Sequence, residues 1–492
     1  MVGAGNAALC AAIAAGEAGA RTLVLEKAPY ELRGGNSRFT GGIFRFSYPT
    51  VETLKEILEA GSDFADVIVE PYTSADYRAD LNRLMDGRGD WNLLDVLIDR
   101  SLDTVRWLKQ RGVRWEFARS AVEARDAGSG RLSLQLGAAV RTLGKGEYLV
   151  SALFNHAEAV GVQVSYDTEV TGLLREDGRV VGVRCIREGL ASDVRAAAVV
   201  LGSGGFESDA ARRVRNLGPS WDRIKVRGTR FNTGEMLDAA LAVGAAPSGD
   251  WQDCHATPLG ADSPDYGELA RGANTNRLSY TWGIQVNLDG ERFADEGEDH
   301  KLFTYAKMGK LIHRQREGLA FQLYDAQAIS LLEERYDTSV PFVGDSIGQV
   351  VDLIAGRYGA LGFNPTRFLE TVMAYNAATP SGNFDPTILD GLSTEGLEIE
   401  KTNWARPIAR PPFVVYPVTT GITFTYGGIR INRDAAVLDA EGGVIPGLFA
   451  TGEITGDFFY GNYPAGAGLM RGSVFGRIAG ERAAAAVELP IS

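Results

Sequence analysis

The chain of 492 residues is 45% hydrophobic and carries 50 Lys and Arg against 63 Asp and Glu, a net charge of −13. That length and apolar content support a large core spread over two or three lobes. The acidic balance, interrupted by no basic run, argues against nucleic acid as a partner, because such a surface repels phosphate backbones.

Residues 1–16, MVGAGNAALCAAIAAG, have the apolar content of a signal-peptide core but no basic residues ahead of it. The glycine spacing reads instead as a dinucleotide-binding turn. Gly3 and Gly5 let the backbone turn tightly and approach a pyrophosphate, and Ala8 lets the following helix lie close to the sheet. The pattern predicts an Ala-rich helix over 6–19, whose first N–H groups, around Asn6 and Ala7, face the phosphate. A strand over 21–25 ends in Glu26, followed by Lys27, about twenty residues past the glycines. A carboxylate there accepts from ribose hydroxyls and disfavours the 2′-phosphate of NADP. Only Met1 and Val2 precede Gly3, so either a chain shortened at its start, the favoured expectation, or a stub of a central strand is implied.

Residues 34–42, GGNSRFTGG, set Asn36, Ser37 and Thr40 between the pairs Gly34-Gly35 and Gly41-Gly42. Such a loop can wrap a flavin with backbone N–H groups and hydroxyls; the alternative is a plain Gly-rich turn. Residues 50–135 read as helices. Within them, Leu94, Leu97, Ile98, Leu102, Val105 and Leu108 form a core-facing stripe over 93–111. Residues 160–184 alternate as a hairpin hinged at Asp177-Gly178, with Val170 where an adenine edge meets backbone atoms. Residues 196–205, AAAVVLGSGG, read as a buried strand running into a second glycine turn at Gly202, Ser203 and Gly204.

The far end completes the pattern. Residues 444–452 read VIPGLFATG, Glu453 follows Gly452, and 461–476 read GNYPAGAGLMRGSVFG, with Gly466, Ala467, Gly468 and Leu469 at its centre. Paired with the N-terminal turn, this is a two-ended signature for bound FAD. Cys10, Cys185 and Cys254 stand far apart without metal-ligand spacing, so no metal site is expected and the thiols read as buried in a reducing cytosol. No apolar run reaches the roughly 18 residues of a membrane span. A soluble, cytoplasmic protein is expected.

Through EKAP, GGNSRFTGG, RGTRFNTGEML (227–237), DCHAT (253–257), GERFADEGED (290–299), TYAK (304–307), PVTTGITFTYGG (417–428) and FYGNYPAGAGL (459–469), the chain resembles the fumarate reductase and succinate dehydrogenase flavoproteins. Within that family it is most similar to the tricarballylate dehydrogenases, and more distantly to the 3-ketosteroid 1-dehydrogenases. The resemblance implies an α/β fold: a Rossmann-like FAD-binding domain built from both chain ends, 1–250 and 424–492, with an α+β capping domain inserted at 251–423. It implies substrate binding at their junction, and desaturation of a C–C bond beside a carboxylate or carbonyl, with hydride to the flavin and a proton to a side chain.

The resemblance also suggests site residues. Four residues after the Glu of the family's RF-x-x-E motif, here Arg292 to Glu296, stands His300, the expected proton carrier; the alternative is a solvated histidine in a charged run. Asp299 could orient it. His255 of DCHAT matches the family histidine that contacts a substrate carboxylate, the alternative being a satisfied structural histidine; Arg277 and Tyr280 could add charge and a hydroxyl, the alternative being a surface or packing role. The arginine of the fumarate reductases' G-x-N-R loop is replaced by Tyr463-Pro464, and Phe424 and Tyr426 stand near the place of a second family histidine. Loss of that bidentate contact makes fumarate a poor substrate. Tyr463 either activates a substrate carbonyl or shapes the flavin pocket. The histidine that links covalently to FAD in succinate dehydrogenases falls near Asn36 and Ser37, neither of which can form the bond, so non-covalent FAD is expected. The partners expected are a small carboxylic acid or ketone and a separate electron acceptor.

Overall fold

The computed structural model describes residues 1–119, 122–126 and 128–486. Its first helix, Asn6–Glu17, is almost wholly Ala, Leu and Ile on its buried side, and its partner is the last helix, Ala467–Ala485. Gly476 and Gly480 of that last helix allow the approach: a Cβ on either would lie within 2.4 Å of the carbonyl oxygen of Ala7 or Ala11. The two ends of the chain are therefore one packed unit.

Behind these helices runs a parallel sheet. Leu23–Leu25 pairs with Gln163–Ser165, and Val199–Leu201 pairs with Val444–Ala450, which in turn carries Ala436–Leu438 antiparallel. Val2 bridges the two halves, pairing with both Leu25 and Leu201. The two residues ahead of Gly3 thus occupy the central strand position. The hairpin Thr168–Glu176 and Arg179–Arg187 turns at Asp177-Gly178 as expected, and Leu190–Arg195 extends it. The stripe over 93–111 lies on a helix, Trp91–Gln110. The stretch 50–135 is less uniform than its composition predicts. Besides three helices it holds the short strands Val67–Ile68, Trp115–Phe117, Val122–Arg125 and Leu132–Leu134, whose alternation is too brief to register against neighbouring helical periodicity.

A second, smaller core belongs to a mixed sheet whose spine is the 13-residue strand Phe413–Thr425. Leu319–Tyr324, with Ile284–Asn287 beyond it, pairs along one edge of the spine, while Phe342–Gly344 pairs with the start of the opposite edge and Cys254–Gly260 with the far end of the spine. Lys225–Val226, from the first FAD segment, also joins the spine, and the boundary proposed at 423/424 falls inside it. The helix Lys301–His313 packs across Cys254–Gly260 and stitches this lobe to the C-terminal loop: Lys310 Nζ donates to the Gly461 carbonyl (2.6 Å) and Asn462 Nδ2 to that of Phe303 (2.7 Å). All three cysteines are buried and unpaired by disulfides. Among the described residues, no helix is long and apolar enough to cross a membrane, and no His, Cys, Asp and Glu group could hold a metal ion.

Candidate active site

A trough crosses the C-terminal edge of the parallel sheet, at the N-terminus of Asn6–Glu17. Gly3, Gly5, Asn6, Ala7, Glu26, Lys27, Gly35, Asn36, Ser37, Val170, Gly202, Ser203, Gly204 and Glu453 line it together. Gly3 sits at φ +92°, and a Cβ there would come within 2.6 Å of the Gly202 carbonyl, so the crossing of the two glycine turns requires it. Burial raises the Glu26 carboxyl, which accepts from the Ala28 N–H (2.8 Å). Lys27 is held by Glu235 (2.7 Å) and Glu169 (2.9 Å), away from any claim on a phosphate.

Asn6, Ala7, Asn36, Ser37 and Glu453 line both the trough and a second, wider cavity. Thr40, Gly41, Gly452, Gly466, Gly468 and Leu469 belong to that cavity, with His255 and Tyr463. A Cβ on Gly41 would meet no protein atom within 4 Å, so the chain is bare where a planar ligand would lie against it. Gly34 and Gly42 have turn roles: their positive φ angles and close contacts with Val150 and Thr142 tie the loop to its neighbours. Ala467 is fully buried in the first turn of the last helix. Between them, a glycine-built groove, a helix N-terminus and a buried ribose-side carboxyl fit FAD.

The far wall of the cavity is made of side chains. His255 sits where the pairing of Cys254–Gly260 with Phe413–Thr425 shifts register, a bulge that re-aims its side chain. Its ring stacks on Phe424 (4.9 Å) and meets Tyr305 (4.8 Å) and Tyr463 (4.9 Å) edge-on. Burial, with the nearby Arg227, holds its pKa well below the ordinary histidine value, and its Nδ1 is buried without a hydrogen-bond partner. Tyr463 accepts from the Gly468 N–H through its hydroxyl (2.8 Å), which ties the aromatic loop to the last helix.

Three arginines line the same space. Arg227 donates to the Phe39 carbonyl (3.3 Å), its Nε is buried and unpartnered, and burial brings its pKa down to about 10. Arg471 stands among Phe424, Phe458 and Phe459, likewise lowered by burial to about 10, with Glu453 pulling the other way. Arg335 is held by Glu333 (2.9 Å). Burial raises the carboxyls of both Glu453 and Glu207, and the neighbouring Glu453 adds to the rise at Glu207.

Other expected residues lie elsewhere. His300 is not among the cavity-lining residues; it caps Lys301–His313, with its ring 5.6 Å from that of Trp404. Asp299 pairs with Arg83 across the lobes. Tyr280 is buried against Thr304 (2.6 Å), and Arg277 is tied to the carbonyls of Asn274 and Asn276 and to Thr338. The lining residues Arg227, Tyr305 and Arg471 stand within or beside motif stretches of the sequence; nothing local marks Arg335.

Comparison with known proteins agrees with this geometry. A family model described as an FAD binding domain matches residues 1–469. A fumarate reductase (cytochrome) of Shewanella frigidimarina is 26% identical over 98% of this chain and 76% of its own length. The open conformation of a flavocytochrome c3 fumarate reductase superposes with a TM-score of 0.73 at 24% identity, covering 99% of this chain and 78% of that one. A 3-ketosteroid-Δ4-(5α)-dehydrogenase from Rhodococcus jostii RHA1 gives 0.68 at 23% identity, over 98% and 95% of the two chains, a likeness of fold. With its trough, its glycine turns and a match over nearly its whole length, the chain belongs to the FAD-binding-domain family of flavoprotein oxidoreductases, and FAD is its cofactor.

Proposed function

We propose that the protein is an FAD-dependent oxidoreductase that desaturates a C–C bond next to a carboxylate, in an acid of the tricarballylate kind. One observation carries this reading: a neutral histidine, His255, shares with Arg227 and Arg335 a cavity continuous with the flavin trough. When bound, FAD accepts or supplies a hydride at one carbon.

The proton at the neighbouring carbon falls to His255. A neutral imidazole can accept it, and its partnerless Nδ1 leaves that nitrogen uncommitted. His300, expected for this role from the motif, is set aside because it does not line the cavity. The arginines suit a substrate carboxylate and the negative charge that grows on it as the proton leaves. Tyr305 adds a hydroxyl donor, and burial keeps it protonated. Tyr463 and Phe424 pack the imidazole into one orientation and keep water from it.

The aromatic wall of Phe424 and Tyr463, backed by Phe459, favours a second reading, a bulkier ketone of the 3-ketosteroid class. Anaerobic additions of tricarballylate and of a 3-ketosteroid to the purified holoenzyme separate the two. Bleaching of the flavin band by the acid alone supports the first, and bleaching by the steroid alone overturns it.

A further inference from the structure

Arg335 differs from the other two cavity arginines in having a dedicated carboxylate. Glu333 lies two residues before it, in a segment of the capping lobe, with Glu333 Oε2 2.9 Å from Arg335 Nε. The other oxygen of Glu333 is 2.7 Å from Lys301 Nζ. Glu333 and Lys301 are almost completely buried, at 7% and 2% side-chain exposure, while Arg335 keeps 16% and faces the cavity. Tyr336, the next residue, is anchored by accepting from the Ser279 N–H (2.9 Å), and the Glu333 N–H donates to the Ser279 hydroxyl (3.1 Å). The Glu333 backbone and the Tyr336 side chain, on either side of Arg335, are thus both tied to Ser279.

The charges do not balance at the cavity. The closest approach of Glu333 to Arg335 is at Nε, an ion pair without an aligned hydrogen bond, and among the described residues none is hydrogen-bonded to the terminal nitrogens of Arg335. Arg335 adds to the positive field at Arg227 and at Lys145. Lys145 donates to Asn274 Oδ1 (2.9 Å), and Arg227 pairs with no described carboxylate. Two guanidinium groups facing one half-closed space repel each other, and an anion between them relieves that repulsion.

From this geometry we infer that Arg335 is a specificity-determining residue that holds a second carboxylate of the substrate, and that Glu333, locked by Lys301, is the positioning residue that aims it. The inference rests on the cavity being the substrate site, as proposed above, and narrows the substrate to acids with at least two carboxylates. Glu333 approaches Arg335 on its Nε side, which leaves the terminal nitrogens for the ligand, so the aim of Arg335 depends on this ion pair rather than on its own flexible stem.

Binding to the oxidised holoenzyme tests this without turnover. The probes are aconitate, with three carboxylates, and crotonate, with one, each titrated against the flavin difference spectrum. Wild type should bind aconitate more tightly. Arg335→Gln should weaken aconitate on the order of tenfold or more, the effect of one lost charge-assisted contact, and leave crotonate nearly unchanged. Arg335→Lys keeps the charge but loses the Nε pairing, and should recover only part of the loss. Glu333→Gln should weaken aconitate selectively with FAD content intact. Equal weakening of both acids by Arg335→Gln, or no weakening of either, overturns the role of Arg335 while leaving the cavity as the substrate site. Wild type that binds neither acid overturns both readings. Full recovery in Arg335→Lys overturns the positioning role of Glu333.

Discussion

The trough and the cavity beside it share Asn6, Ala7, Asn36, Ser37 and Glu453, yet they are built in different ways. Backbone makes most of the trough: glycines at strand–helix crossings and helix N–H groups, joined by the carboxyls of Glu26 and Glu453. Side chains make the far wall of the cavity, drawn from segments around 227, 255, 305, 335 and 463. A backbone-built site constrains local sequence, because only glycine fits where a Cβ would clash. A side-chain-built site constrains only which residues the fold brings together. The trough should therefore fail through steric change and the cavity wall through loss of charge or proton affinity.

The largest effect should come from the trough. Gly3→Val places a branched side chain against the Gly202 carbonyl at a positive φ, and is expected to abolish FAD retention, read as loss of flavin absorbance in the purified protein. Flavin retained at wild-type stoichiometry would break the contrast between the two regions.

On the cavity side, His255→Ala should keep FAD and slow flavin reduction by about a hundredfold or more, the lower range of acid–base catalysis. Arg227→Gln should raise the substrate Kd on the order of tenfold, measured by flavin difference spectra, because it removes a charge-assisted contact. His300→Ala should leave the reduction rate close to wild type; a loss as large as that of His255→Ala would return the proton to His300.

The smallest effect is on pH dependence. The His255 pKa lies below its unfolded value near 6.5, so between the two values the unfolded chain binds the extra proton. The stability linked to neutral His255 is thus present above about pH 6.5 and lost as pH falls below it. Thermal melts of wild type and His255→Gln should converge towards acid pH in this window, and a gap that widens instead would contradict a depressed pKa.

The trough leaves a local mark in the sequence, because glycines such as Gly3, Gly202 and Gly204 stand where a Cβ would clash. Val2 shows the limit of that reading: two residues do not look like a strand, yet Val2 pairs on both sides at the sheet centre. The cavity wall is only half legible. His255 and Tyr463 stand in motifs and do line the cavity, whereas His300 has the right motif spacing but faces Trp404. Arg335 has no local signal, since its environment is set by Glu333, Lys301 and Ser279, contacts that only the folded lobe brings together. The short strands within 50–135 escaped for the same reason, their pairing being tertiary rather than periodic.

The most direct measurement is the anaerobic rate of flavin reduction by tricarballylate, compared between wild type and His255→Ala at equal FAD content. Rapid bleaching in wild type and a loss of about a hundredfold or more in the variant would agree with proton transfer through His255. Equal rates in the two proteins, or a wild-type flavin band that no polycarboxylic acid bleaches, would contradict the account.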